Sequence, residues 1–460
     1  MDFVSQIPKV KMVSGVPSKL RIWWEDLDLG SRLAVTRRLR FLTSLFQITP
    51  DKYVIRALLQ FWDPNRVVFK FKDFELTPTL EEISYFTSLK YQERGQIIPH
   101  SQSGKKFLRY LGLKNTKELR CFENNWVSLD YLYERYGRQD GYKLFKKEFS
   151  CTPAHWQVRR LIVFVVALLG TLVFPREYGK ISTCICSIAR ALFEGVDGAQ
   201  LTLVPMILAE ILRALGKCKR GETNFFEGCN LLLQMWAMEH FYQRLNMADI
   251  CFSESNKIGS FYERTKLFVS PVGTNDWYVF LASRTSDQIQ WKYPLLSPTM
   301  AYIRGRRLYY IELIGLKGLQ PYAPVRVLRQ FGIDQVIPLQ ANMSGFEILF
   351  GQDFRVPRAS QILDEWDNID PISIRAGPAR GITEYHAWLQ EDYGNIDTSP
   401  VGESGFEDIG KIIWIRHSRL GTMVVTPEMW DQMANIMQYL GNAGAGPSND
   451  GASSSVQPPA

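Results

Sequence analysis

Apolar positions along this chain change period several times, and each change marks an element. The clearest succession runs from Thr49 to Tyr91. Thr49 is placed to cap a helix with Pro50 at its first position, where proline's missing N–H costs nothing. Val54, Ile55, Leu58, Leu59 and Trp62 then share one face, at offsets of 1, 4, 5 and 8 from the first. Asp63-Pro64 ends that helix, because proline disfavours helical geometry at the residue before it. Val67, Phe69 and Phe71 alternate with Val68, Lys70 and Lys72, the pattern of a strand wet on one face. Thr77-Pro78 opens a second helix, with Thr79 following, Glu81 and Glu82 near its positive end, and Leu80, Ile83 and Phe86 on its buried side.

The flanking segments read as mostly helical. Residues 1–19 form a flexible lead-in without the apolar region of a secretory signal. Residues 20–48 offer Leu33, Val35, Leu39, Leu42 and Leu45-Phe46 for burial, with Arg37, Arg38 and Arg40 as a basic patch that reads as a solvated face in preference to a phosphate-contacting one. A polar loop over 92–106 leads to short helices at Phe107–Gly112 and Leu129–Tyr136, with Trp126 between them. Thr152-Pro153 starts the apolar run Leu161–Phe174, whose 14 residues fall short of the about 20 that a crossing helix needs, so it reads as a buried core helix of a soluble protein. Leu201–Leu215 follows, with Pro205 near its start. Asn224 with Glu227 then reads as a capping-box variant ahead of Leu231, Leu232, Met235 and Met238.

From about Gly259 the period shortens. Trp277–Leu281, Gln288–Trp291 and Leu308–Ile314 read as strands between Gly, Asn, Asp and Pro. Pro324 starts a helix closed by Gly332. The fold class is therefore mostly α with a smaller β-containing middle section, α+β. A helical part spans 20–250 and a strand-containing part 251–393. A connecting segment (394–425), a terminal helix (426–440) and a disordered tail (441–460) complete the chain.

Composition adds limits. With 460 residues, 46 % of them hydrophobic, the chain can bury a large core. A net charge of +7 permits nucleic-acid binding without indicating it. Seven cysteines, an odd number without regular spacing, suit a reducing compartment.

Three strings then resemble one family. Ala57-Leu58-Leu59, Phe61-Trp62-Asp63-Pro64, Phe69 and Thr77-Pro78-Thr79-Leu80-Glu81-Glu82 are similar to the opening motif of the plant mobile domain. Glu227-Gly228-Cys229 with Gln234, Trp236, Glu239 and His240 resembles its Gly-Cys and Gln-x-Trp-x-x-Glu helix. Arg326 through Arg329, Gln330, Phe331 and Gly332 to Pro338 is the third match. Gly381 to Trp388 resembles its closing helix more weakly, so the likeness spans about residues 20–393. The chain departs from the pattern where Ser88-Leu89-Lys90-Tyr91 replaces a Gly-Leu-Pro-like turn. The resemblance implies a non-enzymatic, nuclear interaction protein linked to transposon silencing, gene expression or genome maintenance, or a protein encoded by a mobile element. It also implies a nuclear phosphatase-like protein partner, with no binding residues fixed by a motif.

Catalytic and cofactor chemistry finds little footing. A pyridoxal enzyme needs a Schiff-base lysine and a phosphate cradle. Lys317, between Gly315 and Gly318, is the nearest candidate, and a turn lysine explains it equally well. His100, His155, His240, His386 and His417 lie in no catalytic frame. The acids Asp364, Glu365, Asp367 and Asp370, and Glu403, Glu407 and Asp408, read as solvated faces, with a cryptic hydrolase or recombinase remnant as the alternative. Arg304, Arg306 and Arg307 beside Tyr309-Tyr310 form the best nucleic-acid patch, although alternation puts the two rings on opposite sides of a strand. No cofactor and no membrane is expected; with the charge spread over the chain, nucleic-acid binding is expected to be weak and nonspecific and the tight contact to be to protein, a nucleic-acid-binding protein of a mobile element being the alternative.

Cys218, Cys229, His240 and Cys251 recur at intervals of eleven. Eleven residues of helix advance about 16 Å, far beyond the about 4 Å between ligands of one ion. Purified protein should therefore carry no stoichiometric zinc by elemental analysis, and one tightly held zinc per chain would overturn the spacing argument.

Overall fold

Three antiparallel strands no longer than three residues, wedged between two helices, form the hub of the structure. The computed structural model describes residues 9–100, 103–114, 125–194, 200–241, 270–292, 299–339, 341–351, 355–375 and 379–394. The chain enters through α1 (Ser18–Asp26), α2 (Leu29–Leu39) and a 3-10 helix, Arg40–Gln47. Then come α3 (Lys52–Phe61), β1 (Trp62–Asp63), β2 (Val68–Lys70), β3 (Glu75–Leu76) and α4 (Leu80–Thr87). Ahead of α1, Val10 is buried and Lys11 forms a parallel bridge with Phe225. Leu33 is exposed, whereas Val35, Leu39, Leu42, Leu45 and Phe46 are buried.

The boundaries of the hub differ from the sequence reading by a residue or two, each for a local reason. Asp51, not Thr49, caps α3 by accepting from the Tyr53 amide, because its carboxylate sits directly before the helix. The Thr49 carbonyl is engaged by Gln234 instead. Thr79 caps α4 in a full capping box with Glu82, while the Thr77 hydroxyl donates to the Val67 carbonyl. Trp62 lies just past α3, paired with Phe69 across β1 and β2 with ring centroids 4.8 Å apart. The expected wet face of β2 is largely covered: Val68 is fully buried in a second apolar cluster with Ala301, Val325 and Leu328. Asp63 caps the β1–β2 turn at Pro64 by accepting from the amides of Asn65 and Arg66.

The helical part continues through β4 (Gly95–Gln96), α5 (Gly104–Leu111), β5 (Trp126–Ser128), α6 (Leu129–Leu132), α7 (Gly141–Leu144) and α8 (Pro153–Leu168). Thr152 caps α8 with Pro153 at its start, as its sequence requires. A π-helical turn, Leu169–Val173, lengthens α8 to 21 residues, long and apolar enough to cross a membrane by length and composition. Its apolar window is 72 % buried within the protein. Then follow β6 (Lys180–Ser182), α9 (Ile185–Glu194), β7 (Leu201–Thr202), α10 (Val204–Lys219) and α11 (Asn230–Phe241). The expected capping box at Asn224 does not form. Helix α11 begins at Asn230, because the Glu227 carboxylate is held by Arg176, Arg213 and Lys217.

The last third departs furthest from its reading. Trp277–Leu281 belongs to a helix, α12 (Thr274–Ala282), where Trp277 and Leu281 bury one helical face four residues apart. Gln288–Trp291 is irregular, and the Trp291 indole N–H donates to the Ser286 carbonyl. Next are β8 (Met300–Ala301), β9 (Ile311–Ile314), β10 (Gly318–Tyr322), β11 (Ile348–Leu349), α13 (Ala359–Asp367), β12 (Ile372–Ser373) and α14 (Thr383–Gly394). Only the end of Leu308–Ile314 is strand. Pro324–Phe331 is a 3-10 helix with Val327 off helical geometry, closed by Gly332 at φ 71°. A Cβ at Gly332 would collide with the Arg375 carbonyl. The terminal helix expected at 426–440, the tail at 441–460 and Cys251 lie outside the described residues.

Among the described residues these form five small sheets: β1-β2-β3, β11-β10-β9, β12-β8, β5-β6 and the parallel pair β4-β7. With about 52 % helix and 12 % strand, the class is mostly α within α+β. One apolar core runs through both parts, and at its centre Phe69 stacks on Trp236 with centroids 5.2 Å apart. Trp62 is 2 % exposed against this stack. Trp62→Ala should cost about 3–5 kcal/mol in chemical denaturation, as large aromatic truncations in cores do. A midpoint unchanged within error would dissolve the hub assignment.

Candidate functional site

Two kinds of polar site need separating: a closed network inside the hub and open clefts on the helical part. The closed one centres on Glu82. Its Oε2 accepts from the Thr79 amide and the Trp236 indole, each at 3.0 Å. Its Oε1 lies 3.0 Å from Gln330 Nε2 and 3.0 Å from His240 Nε2. The other ring nitrogen of His240 is 2.6 Å from the Gln290 carbonyl, which can only accept, so Nδ1 carries a hydrogen. Nε2 is left facing Glu82 Oε1 within hydrogen-bond distance. Gln330 also clasps the Thr77 backbone, accepting from its amide at 3.1 Å and donating to its carbonyl at 2.9 Å.

Neighbouring pairs extend this interior. Glu81 Oε1 accepts from the Tyr91 hydroxyl at 2.7 Å and the Tyr302 amide at 3.0 Å. Arg326 donates to Glu75 at 2.8 Å, both fully enclosed. Arg329 lies 3.6 Å over the Trp291 ring, and burial lowers its pKa to about 10. Glu210 pairs with Arg213 and accepts the amides of Leu316 and Lys317 at 2.8 and 3.3 Å, tying α10 to the β9–β10 turn. The three strings behind the family resemblance therefore meet in space. Thr77, Thr79 and Glu82 come from the first, Trp236 and His240 from the second, and Arg326, Gln330 and Phe331 from the third. Cys229 and Leu80 pack beside them in the core, and Glu239 is half-buried on the same helix as Trp236.

These groups are closed to solvent, so no substrate reaches them. Burial also pushes the thiols of Cys184, Cys218 and Cys229 up to about 12, which leaves them as inert apolar side chains. Lys317 lies over the Trp126 ring, 4.6 Å from its centroid. Among the described residues, no group of three His, Cys, Asp or Glu side chains could hold a metal ion.

The Arg304–Arg307 patch faces acid. Arg307 Nε lies 3.2 Å from Glu365, whose other oxygen accepts the Arg307 amide. Asp370 acts on Arg304. Tyr309 and Tyr310 are largely enclosed, and burial raises the pKa of both hydroxyls, so neither ring offers a stacking platform. Arg306 is the exposed remainder.

Cations gather elsewhere, in two clefts that no single stretch of sequence announced. One, of about 490 Å³, is lined by Arg37, Arg38, Arg40, Lys90 and Arg94 over a floor of β7. The other, of about 720 Å³, is lined by Lys106, Arg109, Arg159, Arg190 and His155. Both abut α9, which presents Arg190 to one and Ala191-Leu192 to the other. No carboxylate lines either cleft among the described residues. Arg37 and Arg40 are exposed and Arg38 is half-buried, so the expected solvated face also forms one wall of a cleft. Lys90 and Arg94 join them from the turn between α4 and β4, while α5, α8 and α9 line the other cleft; the local signal was the Arg37/Arg38/Arg40 cluster, and the far partners gave none.

The plant mobile domain model matches residues 40–370. The chain belongs to the plant mobile domain family. The matched stretch lies inside the 20–393 span of the motif likeness and includes the hub, the polar network and α9. No curated protein and no solved structure matches the chain.

Glu81 supplies a pH test of the closed network. Burial pushes its pKa from 4.5 up to about 7, against the opposing hydrogen bonds from Tyr91 and Tyr302 and with a smaller push from Glu82. The folded state holds this proton more tightly than the unfolded chain. Its contribution to stability is therefore complete below the unfolded value and is lost as pH rises through the folded one, about 3 kcal/mol in all. Glu81→Gln keeps the oxygen acceptor and removes the titration. Urea midpoints at about pH 5 and about pH 8 should differ less in the variant than in the native chain.

Proposed function

We propose that this chain is a non-catalytic interaction module of the plant mobile domain family, acting in the nucleus in the silencing of mobile elements, gene expression or genome maintenance. The observation that carries the reading is how the ionisable groups are spent. Glu75, Glu81, Glu82, Glu210 and His240 are buried and committed to fixed partners. Such groups hold a fold together; a catalytic acid or base must reach a substrate proton. The open cavities supply cations without a carboxylate nucleophile or a general base beyond His155. Family membership supports the nuclear role and a phosphatase-like protein partner. For that partner α2 offers an apolar edge: Leu29 and Leu33, one turn apart, are 72 % and 49 % exposed.

Expression of a tagged full chain in plant cells tests this. The tag should concentrate in the nucleus, and a phosphatase-like protein should be recovered with it. Leu29→Asp with Leu33→Asp should abolish that recovery while leaving nuclear accumulation intact. Exclusion from the nucleus, or recovery indifferent to the double variant, would reject the reading.

A further inference from the structure

The two clefts beside α9 suggest a second binding activity, independent of the protein partner above. Six of their cations have no counter-charge among the described residues. Arg37, Arg40, Lys90, Arg94, Lys106 and Arg109 form no ion pair among the described residues, whereas the buried arginines 176, 213 and 326 each have a glutamate. Helix ends explain part of this, since Arg37 and Arg38 lie in the last turn of α2, where the dipole favours a cation. Lys106 lies in the first turn of α5, where the dipole opposes one. Like charges around a concave wall repel one another and focus a positive potential into the cavity. Backbone geometry adds a cost at the same place. Arg40, Ser88 and Glu93, at or beside the first cleft, hold positive φ angles of 50°, 56° and 57° without being glycine.

We infer that these clefts bind the phosphodiester backbone of single-stranded nucleic acid, with the strand crossing α9. Arginine dominates both clefts, and its planar fork matches phosphate oxygens. In the second cleft Arg190 lies 4.8 Å over Tyr110, and behind the first Arg38 lies 4.2 Å over Phe193, which does not itself line it. Aromatic faces beside a cationic track are what single-strand binders use for base stacking. A helix with its side chains is about 10 Å across, so one small anion cannot load both clefts, whereas a chain of phosphates can.

The test is fluorescence anisotropy of the full chain with a labelled single-stranded oligonucleotide of about twelve nucleotides, titrated with salt. Each neutralised phosphate on a single strand contributes about 0.7 to the log–log slope. Arg37→Ala, Lys90→Ala and Arg94→Ala together should lower that slope by about 2, and Lys106→Ala with Arg109→Ala by about 1.4. These side chains are at or near the surface, and unchanged circular dichroism confirms folding. Arg304→Ala, Arg306→Ala and Arg307→Ala together should leave the slope unchanged. Absence of binding at low salt would overturn the proposal, as would equal binding by both cleft variants or loss of binding in the 304/306/307 variant. A duplex, polyglutamate or phosphatidylserine vesicles held as tightly as the oligonucleotide would also overturn it.

Discussion

A single carboxylate determines how this chain closes. Glu82 is hydrogen-bonded to Thr79, Trp236, Gln330 and His240, which come from α4's own cap, from α11 and from the 3-10 helix near residue 330. Its side chain is 4 % exposed, so each of these polar groups would lack water if the carboxylate moved. Leaving a buried donor unsatisfied costs about 1–3 kcal/mol, more for a charged one. The network therefore penalises other placements of α4, α11 and that 3-10 helix more than it rewards the native one. Apolar packing around it supplies the bulk of the folding free energy, since Phe69, Phe71, Phe74 and Phe241 stack without directional demands as strict as those of a hydrogen bond.

The same logic recurs at the periphery of the hub. Gln96 in β4 donates to the Glu312 carbonyl at 3.0 Å and accepts from the Ile314 amide at 2.8 Å, so one side chain acts as an extra strand along β9. Arg160 donates to the carbonyls of Tyr136 and Gly137 at 2.8 and 2.7 Å, fixing the π-helical turn there onto α8. These devices let short strands and irregular turns stay ordered where regular ladders are too brief to do so.

This pattern explains which features were legible in the sequence. Periodicity and capping located α3, α4, α8, α10 and the start at Pro324, because those signals are local. The charged residues of the hub were legible only as helix-terminal acids: Glu81 and Glu82 were expected to sit near a helix's positive end, yet the whole helix is buried. Apart from Thr79 and Tyr91, their partners lie about 150 to 250 positions away in sequence, and no local period encodes that. Trp277–Leu281 failed for a related reason. Aromatic and β-branched residues favour strands when half-buried, but here tertiary packing against α3, where Trp277 donates to Asp51, decided for helix. Arg304–Arg307 looked basic because its neutralising acid, Glu365, lies 58 positions on.

The clefts depend on the hub in turn. Lys90 follows α4 by three residues, and α4 is held at its other end by Glu81 and Glu82. Arg94 directly precedes β4, its carbonyl accepting from the Trp366 indole at 2.8 Å. Among the described residues neither cation has an ion-pair partner of its own; each is positioned by backbone that the buried network has already placed. A buried polar interior thus has a second consequence besides a unique fold. It spares the surface cations from pairing among themselves to stay ordered, and leaves their charge available to whatever enters the cavity.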